Sequence, residues 1–465
     1  MTTKPATIGE LREAGYQVLP VKEEMRKNLI AKLRSGAPLF TGIVGYEETV
    51  IPQIENAILS GQDIVLLGER GQAKTRIARS LVGLLDEEVP VIAGSEVNDN
   101  PFAPISAYGR AQVEALGDRT PIAWLRRDQR YGEKLATPDT TIADLIGEVD
   151  PIKVAEGRYL SDELTIHYGL VPRTNRGVFC INELPDLAER IQVGLLNIME
   201  ERDVQIRGYR VRLPLDVYIV ASANPEDYTN RGRIITPLKD RFGSEIRTHY
   251  PRTIEHEIDI MEAEHSRFAS DGVEVTVPEF MKEIVAELTH LARKHPDISQ
   301  RSGVSVRVSI CNYENLLSNA LRRAIRLGEK AAAPRISDLS ALVASTAGKI
   351  ELEAVGDVKE ERVIDRLLQG AVLNVFKRHF ELDEFGELLQ VFENGQRMEA
   401  GETMPSMDYV HQAGRLTQMR EAAVKLGAQG NPAVVASAVE FVLEGLHLSR
   451  RLNKDRHAGK TRYRR

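Results

Sequence analysis

The first half of the chain carries short apolar runs that end abruptly in polar residues. The clearest runs are residues 64–67, 178–181 and 217–223. Continuous apolar segments of this length are typical of strands that are buried on both faces of a parallel sheet. Ligands of open α/β sheets bind beyond the carboxyl ends of such strands. The pattern therefore predicts an α/β fold whose candidate site residues follow the strands.

Apolar residues with helical spacing mark the regions on either side. Val21, Met25, Leu29 and Leu33 recur every four residues, and Phe280 begins a similar stripe, which indicates helices with one buried face. We divide the chain into a helical N-terminal segment (1–35), an α/β core with an insertion (36–252), a helical, lid-like region (253–350), a further helical region (351–448) and a basic tail (449–465).

The strand expected at residues 64–67 leads directly into a glycine-containing loop and a helix. The loop residues are Gly68, Glu69, Arg70, Gly71, Gln72, Ala73, Lys74, Thr75 and Arg76. A phosphate-binding loop needs backbone N–H groups around an anion, a lysine for the outer phosphates and a hydroxyl for Mg²⁺. The consensus places glycine before the lysine, where this chain has Ala73. An ordinary strand-turn-helix with a solvated lysine is the alternative interpretation.

Further polar residues follow the other two runs. Asn182 and Glu183 end the second run, Asn224 ends the third, and Arg241 comes shortly afterwards. A strand-end carboxylate can act as a general base towards water, and an arginine can stabilise charge on a transferring phosphoryl group. A loop lysine, a strand-end glutamate, a strand-end asparagine and an arginine, in that order, are the parts of a ring-forming ATPase.

From residue 36 to about residue 350, the chain resembles the AAA+ ATPases of the group that contains the magnesium chelatase ATPase subunit and the MoxR-like ATPases. Besides the loop, the resemblance rests on Ile43-Val44-Gly45, Asn175-Arg176-Gly177, Asn224-Pro225-Glu226 and Asp240-Arg241-Phe242. Alanine before the loop lysine is common in this group. The resemblance implies an α/β fold with an AAA+ P-loop parallel sheet flanked by helices, followed by an α-helical lid and a further C-terminal α-helical region.

The resemblance also implies ATP and Mg²⁺ as cofactors. Val44 and Gly45 would contact the base, and residues 68–76 would bind the phosphates. Thr75 would ligate Mg²⁺, with Asn182 behind the waters of the ion.

The remaining roles concern hydrolysis. Glu183 would activate the attacking water, and Asn224 would position it. Arg241 from a neighbouring subunit would stabilise the transition state. Arg307 is the candidate for a lid arginine at the γ-phosphate, and Arg301 competes with it for this role.

One position departs from the family pattern, which normally has Asp-Glu where this chain has Asn182-Glu183. An amide oxygen can accept hydrogen bonds from Mg²⁺-bound water without the negative charge, and Mg²⁺ relies mainly on phosphates and waters. We therefore expect a working, slow ATPase, with a nucleotide-binding switch that barely hydrolyses as the alternative. On this interpretation, Asn182→Asp should tighten the Mg²⁺ dependence and leave turnover equal or faster.

A long insertion separates the loop helix from the Glu183 strand. Its cluster of Arg126, Arg127 and Arg130 would face the ring pore or a neighbour's nucleotide, or else form a solvated surface. Residues 144–150 resemble the segment that precedes the inserted β-hairpin of chelatase-type ATPases, so residues 159–171 are the expected place of that hairpin.

Composition restricts the remaining possibilities. The 465-residue chain is 42% hydrophobic, but it has no apolar run of the roughly 20 residues that a membrane span needs. Nor does its N-terminus carry an apolar signal core, so we expect a soluble, cytoplasmic protein with no membrane span. Two cysteines far apart do not suggest a disulfide scaffold. The net charge of −7 argues against a wholly basic nucleic-acid binder.

The end of the chain is basic. From Ser449 to Arg465 there are eight lysines and arginines against one acid. The sequence predicts a disordered, solvated terminus, or alternatively an arm for an acidic partner or nucleic-acid phosphates. Residues 394–405 are the expected linker in the preceding helical region.

Together these features predict a homo-oligomeric, hexameric ring that uses ATP to remodel or activate a partner protein. Metal insertion, or activation of a partner with a metal-ion-dependent adhesion domain, is the family expectation, and nucleic acid is not expected as a partner. Three alternatives stay open: a σ54-type transcription activator, a DNA-dependent motor, and a slow or non-hydrolysing nucleotide-binding scaffold.

Overall fold

The computed structural model describes residues 4–150, 163–200, 213–225, 232–267, 272–300, 302–352, 360–457 and 460–465. The chain divides into two compact units, Met1–His249 and Tyr250–Arg465. Within the described ranges, no helix is both long enough and apolar enough to cross a bilayer.

The first unit is built on a five-stranded parallel sheet with the order β4-β7-β8-β1-β9. Its described elements, in chain order, are α1 (Ile8–Glu13), α2 (Val21–Ser35), α3 (Val50–Leu59), β1 (Ile64–Leu67), α4 (Lys74–Ser80), β2 (Glu88–Ile92), α5 (Ala107–Leu116), β3 (Ile122–Arg126), β4 (Tyr131–Leu135), α6 (Ile142–Leu145), β5 (Gly147–Val149), β6 (Ile166–Tyr168), α7 (Leu170–Arg173), β7 (Gly177–Asn182), α8 (Glu189–Glu200), β8 (Val217–Ala223), α9 (Thr236–Arg241) and β9 (Ser244–Arg247).

The three apolar runs form the central strands, as the sequence predicts. Strands β1 and β7 are buried along their whole length, and β8 is buried from Tyr218 onward. Side chains of each strand alternate between two hydrophobic clusters, one on each face of the sheet. The α/β fold with a parallel sheet flanked by helices is thereby confirmed.

The N-terminal segment forms the two helices expected, α1 and α2. Thr7 caps the first helix by accepting a hydrogen bond from the Glu10 backbone N–H at 3.3 Å. Glu24 on the second helix forms a buried, two-pronged ion pair with Arg130, at 2.7 and 2.6 Å. Arg130 therefore links α2 to the core through this ion pair. The prediction that Arg130 lies on a pore-facing or solvated surface is wrong, because its side chain is 1% exposed.

The insertion contains an antiparallel strand pair, but only β6 lies in the stretch where the hairpin is expected, because β5 belongs to residues 144–150, which were expected to precede it. Strands β5 and β6 pair antiparallel, with Gly147 opposite Tyr168 and Val149 opposite Ile166. The expected hairpin spans residues 159–171, of which 159–162 lie outside the described residues. Strands β2 and β3 form a second antiparallel pair.

The second unit is mainly helical. Its described elements are α10 (Ile254–Glu264), β10 (Glu274–Val275), α11 (Glu279–Ala292), α12 (Arg307–Leu327), β11 (Ala331–Ala332), α13 (Leu342–Thr346), α14 (Glu360–His379), α15 (Gly386–Glu393), β12 (Met398–Ala400), α16 (Ser406–Ala413), α17 (Thr417–Lys425), α18 (Pro432–Leu448), β13 (Asn453–His457) and β14 (Lys460–Arg464). One hydrophobic core joins helices from α10 to α18. The predicted α-helical character of both C-terminal regions is confirmed.

The basic terminus is folded, so the prediction of a disordered, solvated tail is wrong. Strands β13 and β14 form a hairpin, and β14 also pairs with β12. Tyr463 of β14 is 2% exposed and belongs to the core of the second unit. The prediction that residues 394–405 form a linker is also wrong. These residues contribute strand β12 and the buried side chains of Met398, Ala400 and Met404.

Candidate nucleotide-binding site

The predicted phosphate loop lies between β1 and α4, at the carboxyl edge of the sheet. Lys74 is the first residue of α4 and is 7% exposed. Its ammonium donates hydrogen bonds to the carbonyls of Gly68 and, at 2.9 Å, of Glu69. A third bond, of 2.6 Å, reaches Asn224 Oδ1 beyond the end of β8. Lys74 is therefore a buried, oriented cation and not the solvated lysine of the alternative interpretation.

The loop backbone explains why small residues occupy it. A Cβ atom at Gly68 would lie 1.9 Å from Thr248 Oγ1 and 2.3 Å from Gln72 Oε1. Gly71 has φ of 78°, and Ala73 has φ of 56° and ψ of 13°, in the left-handed region. That conformation favours glycine, which accounts for the glycine that the consensus places before the lysine.

Gln72 fixes the shape of the loop from inside. Its Oε1 accepts hydrogen bonds from the Glu69 backbone N–H at 3.1 Å and from Thr248 Oγ1 at 2.7 Å. Thr248 follows strand β9, so this contact ties the loop to the edge of the sheet. Arg70 and Arg76, the two arginines of the loop, are exposed.

Glu183 and Asn224 meet beyond the ends of neighbouring strands β7 and β8. Asn224 Nδ2 donates to Glu183 Oε2 at 2.5 Å. Glu183 itself has φ of 56° and ψ of 46°. A non-glycine residue in the left-handed region costs free energy, and such residues concentrate at functional sites. The fold therefore brings together Lys74, Asn224 and Glu183, as the order of parts in the sequence predicts.

Thr75 and Asn182 also meet, as predicted. Thr75 Oγ1 donates to Asn182 Oδ1 at 3.3 Å, and Ser222 Oγ donates to the same oxygen at 3.1 Å. Hydroxyl and amide oxygens are ligands of the type that Mg²⁺ accepts, directly or through its waters. These residues fit a magnesium ion that is held chiefly by phosphates.

Glu133 is a member of this cluster that sequence reasoning missed. It lies on β4, and its Oε1 accepts a hydrogen bond of 2.7 Å from Asn182 Nδ2. Arg79 and Tyr131 also donate to the carboxylate. Burial raises the pKa of Glu133, but the hydrogen bonds from Arg79 and Tyr131 outweigh burial and hold the pKa below its ordinary value. Glu133 is therefore ionised at neutral pH.

The segment expected to contact the base lies beside the loop. Val44 and Gly45 are half-buried, and the next residue, Tyr46, is 5% exposed. The Tyr46 hydroxyl donates to the carbonyls of Gln72 at 3.0 Å and His249 at 2.7 Å. Burial raises the pKa of Tyr46 to about 12, so it remains a donor. Sequence reasoning missed this tyrosine, although it directly follows the quoted Ile43-Val44-Gly45 motif.

The predicted arginines take different positions. Arg241, the last residue of α9, pairs with Glu200 at 2.6 Å and with Asp240 at 3.1 Å, and its side chain is 35% exposed. Arg307 begins α12 in the second unit and is exposed. Arg301 lies outside the described residues. The roles assigned to Arg241 and Arg307 stay predictions.

Comparison with known proteins gives a match to one domain family and longer matches to individual proteins. A family model described as an AAA domain of the dynein-related subfamily matches residues 122–242. This region includes Asn182, Glu183, Asn224 and Arg241 and leaves out the phosphate loop.

Individual relatives cover more of the chain. The magnesium-chelatase subunit ChlI of Nostoc sp. is 27% identical over 262 residues, which are 55% of this chain and 64% of that protein. The magnesium-chelatase 38 kDa subunit of Rhodobacter capsulatus is 27% identical over 244 residues, or 50% of this chain and 61% of that one. The chain thus spans less than two thirds of the length of either relative.

Among solved structures, a chain from the complex between subunits BchI and BchD of magnesium chelatase is 18% identical to this one, with a TM-score of 0.36. The match covers 70% of this chain and 98% of that chain. Residues 122–242 thus match an AAA domain, and the chain is similar to magnesium-chelatase subunits, in agreement with the resemblance drawn from the sequence.

Proposed function

We propose that this chain binds and hydrolyses ATP at the carboxyl ends of strands β1, β7 and β8. The observation that carries the proposal is the hydrogen-bonded series from Lys74 through Asn224 to Glu183. Asn224 accepts from the lysine at 2.6 Å and donates to the carboxylate at 2.5 Å. The Asn224 amide therefore connects Lys74, a cation that can bind phosphate, with Glu183, a carboxylate that can accept a proton from water.

Each residue has a defined task in the hydrolysis. Glu183 takes a proton from the attacking water as the water oxygen bonds to the γ-phosphorus. The bond from that phosphorus to the β–γ bridging oxygen breaks, which gives ADP and phosphate. Lys74 and the loop N–H groups stabilise the negative charge on the phosphate oxygens. Asn224 orients the Glu183 carboxylate towards the water.

The metal side of the site is formed by Thr75 and Asn182. When bound, Mg²⁺ neutralises charge on the β- and γ-phosphates. The hydroxyl of Thr75 would hold the ion, and Asn182 Oδ1 would accept hydrogen bonds from its waters.

The proposal extends to assembly and to the client. We infer a homo-oligomeric, hexameric ring in the cytoplasm, in which Arg241 of one subunit completes the site of the next. The ring would remodel or activate a partner protein in the manner of a MoxR-type chaperone or a chelatase, with a metal-ion-dependent adhesion domain as the expected partner module. Similarity to two magnesium-chelatase subunits supports the chelatase-like part of this proposal.

A nucleotide-binding titration tests the assignment of the loop. Lys74→Ala removes the buried cation, so the affinity for a fluorescent ATP analogue should fall below detection. Lys27→Ala serves as the matched control, because Lys27 is 49% exposed and pairs with Asp86 away from the loop. Unchanged affinity in the Lys74 variant would contradict the phosphate-loop assignment.

Purification of the untagged native complex tests the client. Identification of a co-purifying protein partner supports remodelling. Hydrolysis that rises on addition of DNA would instead support a DNA-dependent motor, and co-purification with σ54 would support a transcription activator.

A further inference from the structure

The hydrogen-bond partners of Asn182 fix the orientation of its amide, and they include the Cys180 thiol, which donates to Oδ1 at 3.6 Å. Its Oδ1 accepts hydrogen bonds from the hydroxyls of Thr75 and Ser222, at 3.3 and 3.1 Å. Hydroxyls could serve either atom, but a carboxylate can accept only. Since Glu133 Oε1 lies 2.7 Å from the other amide atom, that atom is the Nδ2 donor. Asn182 is thus a link between an anion on one side and the Thr75 hydroxyl on the other.

Glu133 is built into this position by the sheet. Strand β4 pairs in parallel with β7, with Leu135 opposite Asn182 and Glu133 opposite Cys180. The carboxylate is oriented further by two bonds from Arg79, of 2.7 and 3.0 Å, and by one of 3.0 Å from the Tyr131 hydroxyl. Its side chain is 22% exposed, while that of Arg79 is 63% exposed. The arginine lies on the solvent side, and the amide lies on the site side.

An aspartate at position 182 would not fit this arrangement. One of its oxygens would replace Nδ2 and would face Glu133 Oε1 across a hydrogen-bond distance with no proton donor between them. Two carboxylates at that separation repel each other. Asn182 and Glu133 are therefore matched to each other, and the asparagine is the residue that an ionised Glu133 requires.

We propose that Glu133 is a positioning residue of the phosphate site that supplies, from the neighbouring strand, the negative charge that Asn182 lacks. It acts through the Asn182 amide, which hydrogen-bonds to the Glu133 carboxylate on one side and to the Thr75 hydroxyl on the other. This inference rests on the proposed function, because Thr75 is assigned to the metal side of an ATP site. It also reverses the expectation from the sequence that Asn182→Asp restores a missing function.

Exchange of the Asn182 amide and the Glu133 carboxylate tests whether the two side chains are matched to each other. Without nucleotide, Asn182→Asp should lower the unfolding temperature, because it places two carboxylates together. Asn182→Asp combined with Glu133→Gln should recover part of the lost unfolding temperature, because the amide and the carboxylate change places, although the double variant loses the Arg79 ion pair. A double variant no more stable than Asn182→Asp alone would overturn the pairing. This measurement needs no ATP, so it stands even if the chain fails to bind nucleotide.

Nucleotide affinity tests the role of the charge. Glu133→Gln keeps an acceptor for the Asn182 amide but removes the charge, so the affinity for ATP with Mg²⁺ should fall on the order of ten-fold. ATP affinity in EDTA should not fall, and the exchanged double variant should regain affinity with Mg²⁺. If the wild type binds no ATP under either condition, the proposed function fails, and the unfolding measurement still decides the pairing.

Arg79→Gln distinguishes the role of the Glu133 charge from the role of the Arg79–Glu133 salt bridge. It breaks the same salt bridge but leaves the Glu133 charge in place, so ATP affinity with Mg²⁺ should be kept. If Arg79→Gln loses as much affinity as Glu133→Gln, the ion pair is the important feature, and Glu133 is only a structural partner of Arg79. If Glu133→Gln keeps full affinity with Mg²⁺, the proposed role of the charge is overturned.

Discussion

Asn224 Nδ2 donates a hydrogen bond of 2.5 Å to Glu183 Oε2, which places the amide in direct contact with the candidate general base. The same amide accepts from Lys74 at 2.6 Å through its oxygen. A phosphate that draws Lys74 towards itself competes with this second bond. Phosphate binding and the orientation of Glu183 are therefore coupled through one side chain.

The backbone of the loop gives a prediction about stability. Ala73 has φ of 56°, and an L-residue in this region costs about 1–2 kcal/mol. Ala73→Gly removes that cost and adds about 0.4–1 kcal/mol of unfolded-state entropy, so the free energy of unfolding should stay level or rise by up to about 1.6 kcal/mol. Urea unfolding measures the difference.

Ala78→Gly in the same helix is the matched control. This residue is 1% exposed and helical, so its replacement by glycine should cost about 1 kcal/mol or more. An equal loss in both variants would show that Ala73 does not adopt the left-handed conformation.

The folded C-terminus gives a second prediction. Tyr463 is 2% exposed, and its hydroxyl donates to Glu444. Tyr463→Ala should lower the free energy of unfolding of the second unit by about 3–5 kcal/mol. Tyr463→Phe, which loses only the hydroxyl, should cost about 1–2 kcal/mol. Denaturant titration followed by circular dichroism measures both.

Arg464→Ala provides the control for the tail, because this side chain is exposed on the same strand and should change stability by less than about 0.5 kcal/mol. A Tyr463→Ala variant as stable as this control would mean that the terminus is solvated after all.

The third prediction concerns Arg241 at the subunit boundary of the proposed ring. Arg241→Ala should bind ATP normally and hydrolyse it slower by a factor on the order of 10³. Mixed rings of Arg241→Ala with Glu183→Gln contain boundaries where an intact Glu183 meets an intact Arg241, so phosphate release should recover in the mixture.

Glu200→Gln separates this role from a structural one. It removes the charge of Glu200, which is one of the two carboxylates paired with Arg241 and lies at 2.6 Å, but keeps the arginine, so hydrolysis should persist. If mixed rings form and recover no activity, Arg241 acts within its own subunit through the pair with Glu200.

Local patterns were sufficient to predict the central strands of the sheet and three polar side chains that the fold brings together. The apolar runs form strands β1, β7 and β8 because apolar segments of this length suit strands that are buried on both faces. Polar residues follow each run within a few positions, so the sequence alone predicts Lys74, Glu183 and Asn224 as candidate site residues.

Glu133 could not be found in this way. It lies in a strand of mixed polarity, Tyr131–Leu135, and its proximity to Asn182 arises from the order of strands in the sheet. The pairing of β4 with β7 is a tertiary relation that spacing along the chain does not report. The function assigned to Asn182 from its residue type alone was therefore incomplete.

The net charge of the basic tail predicts a disordered terminus, but the tail is folded because its charged residues alternate with residues that can be buried. Lys460, Arg462 and Arg464 project from one face of a strand, while Thr461 and Tyr463 project from the other. This period of two is typical of a half-buried strand. The alternation was visible in the sequence and was a better guide than the net charge.

If Glu183 activates water for ATP hydrolysis at this site, Glu183→Gln should keep ATP binding and lose hydrolysis. Glutamine is close in size to glutamate, so ATP affinity should match that of the wild type, whereas the general base is lost. In a single-turnover assay with Mg²⁺ and radiolabelled ATP, the wild type should release phosphate. The variant should retain ATP, with a rate lower by a factor on the order of 10² or more. Phosphate release by Glu183→Gln at the wild-type rate would contradict the account.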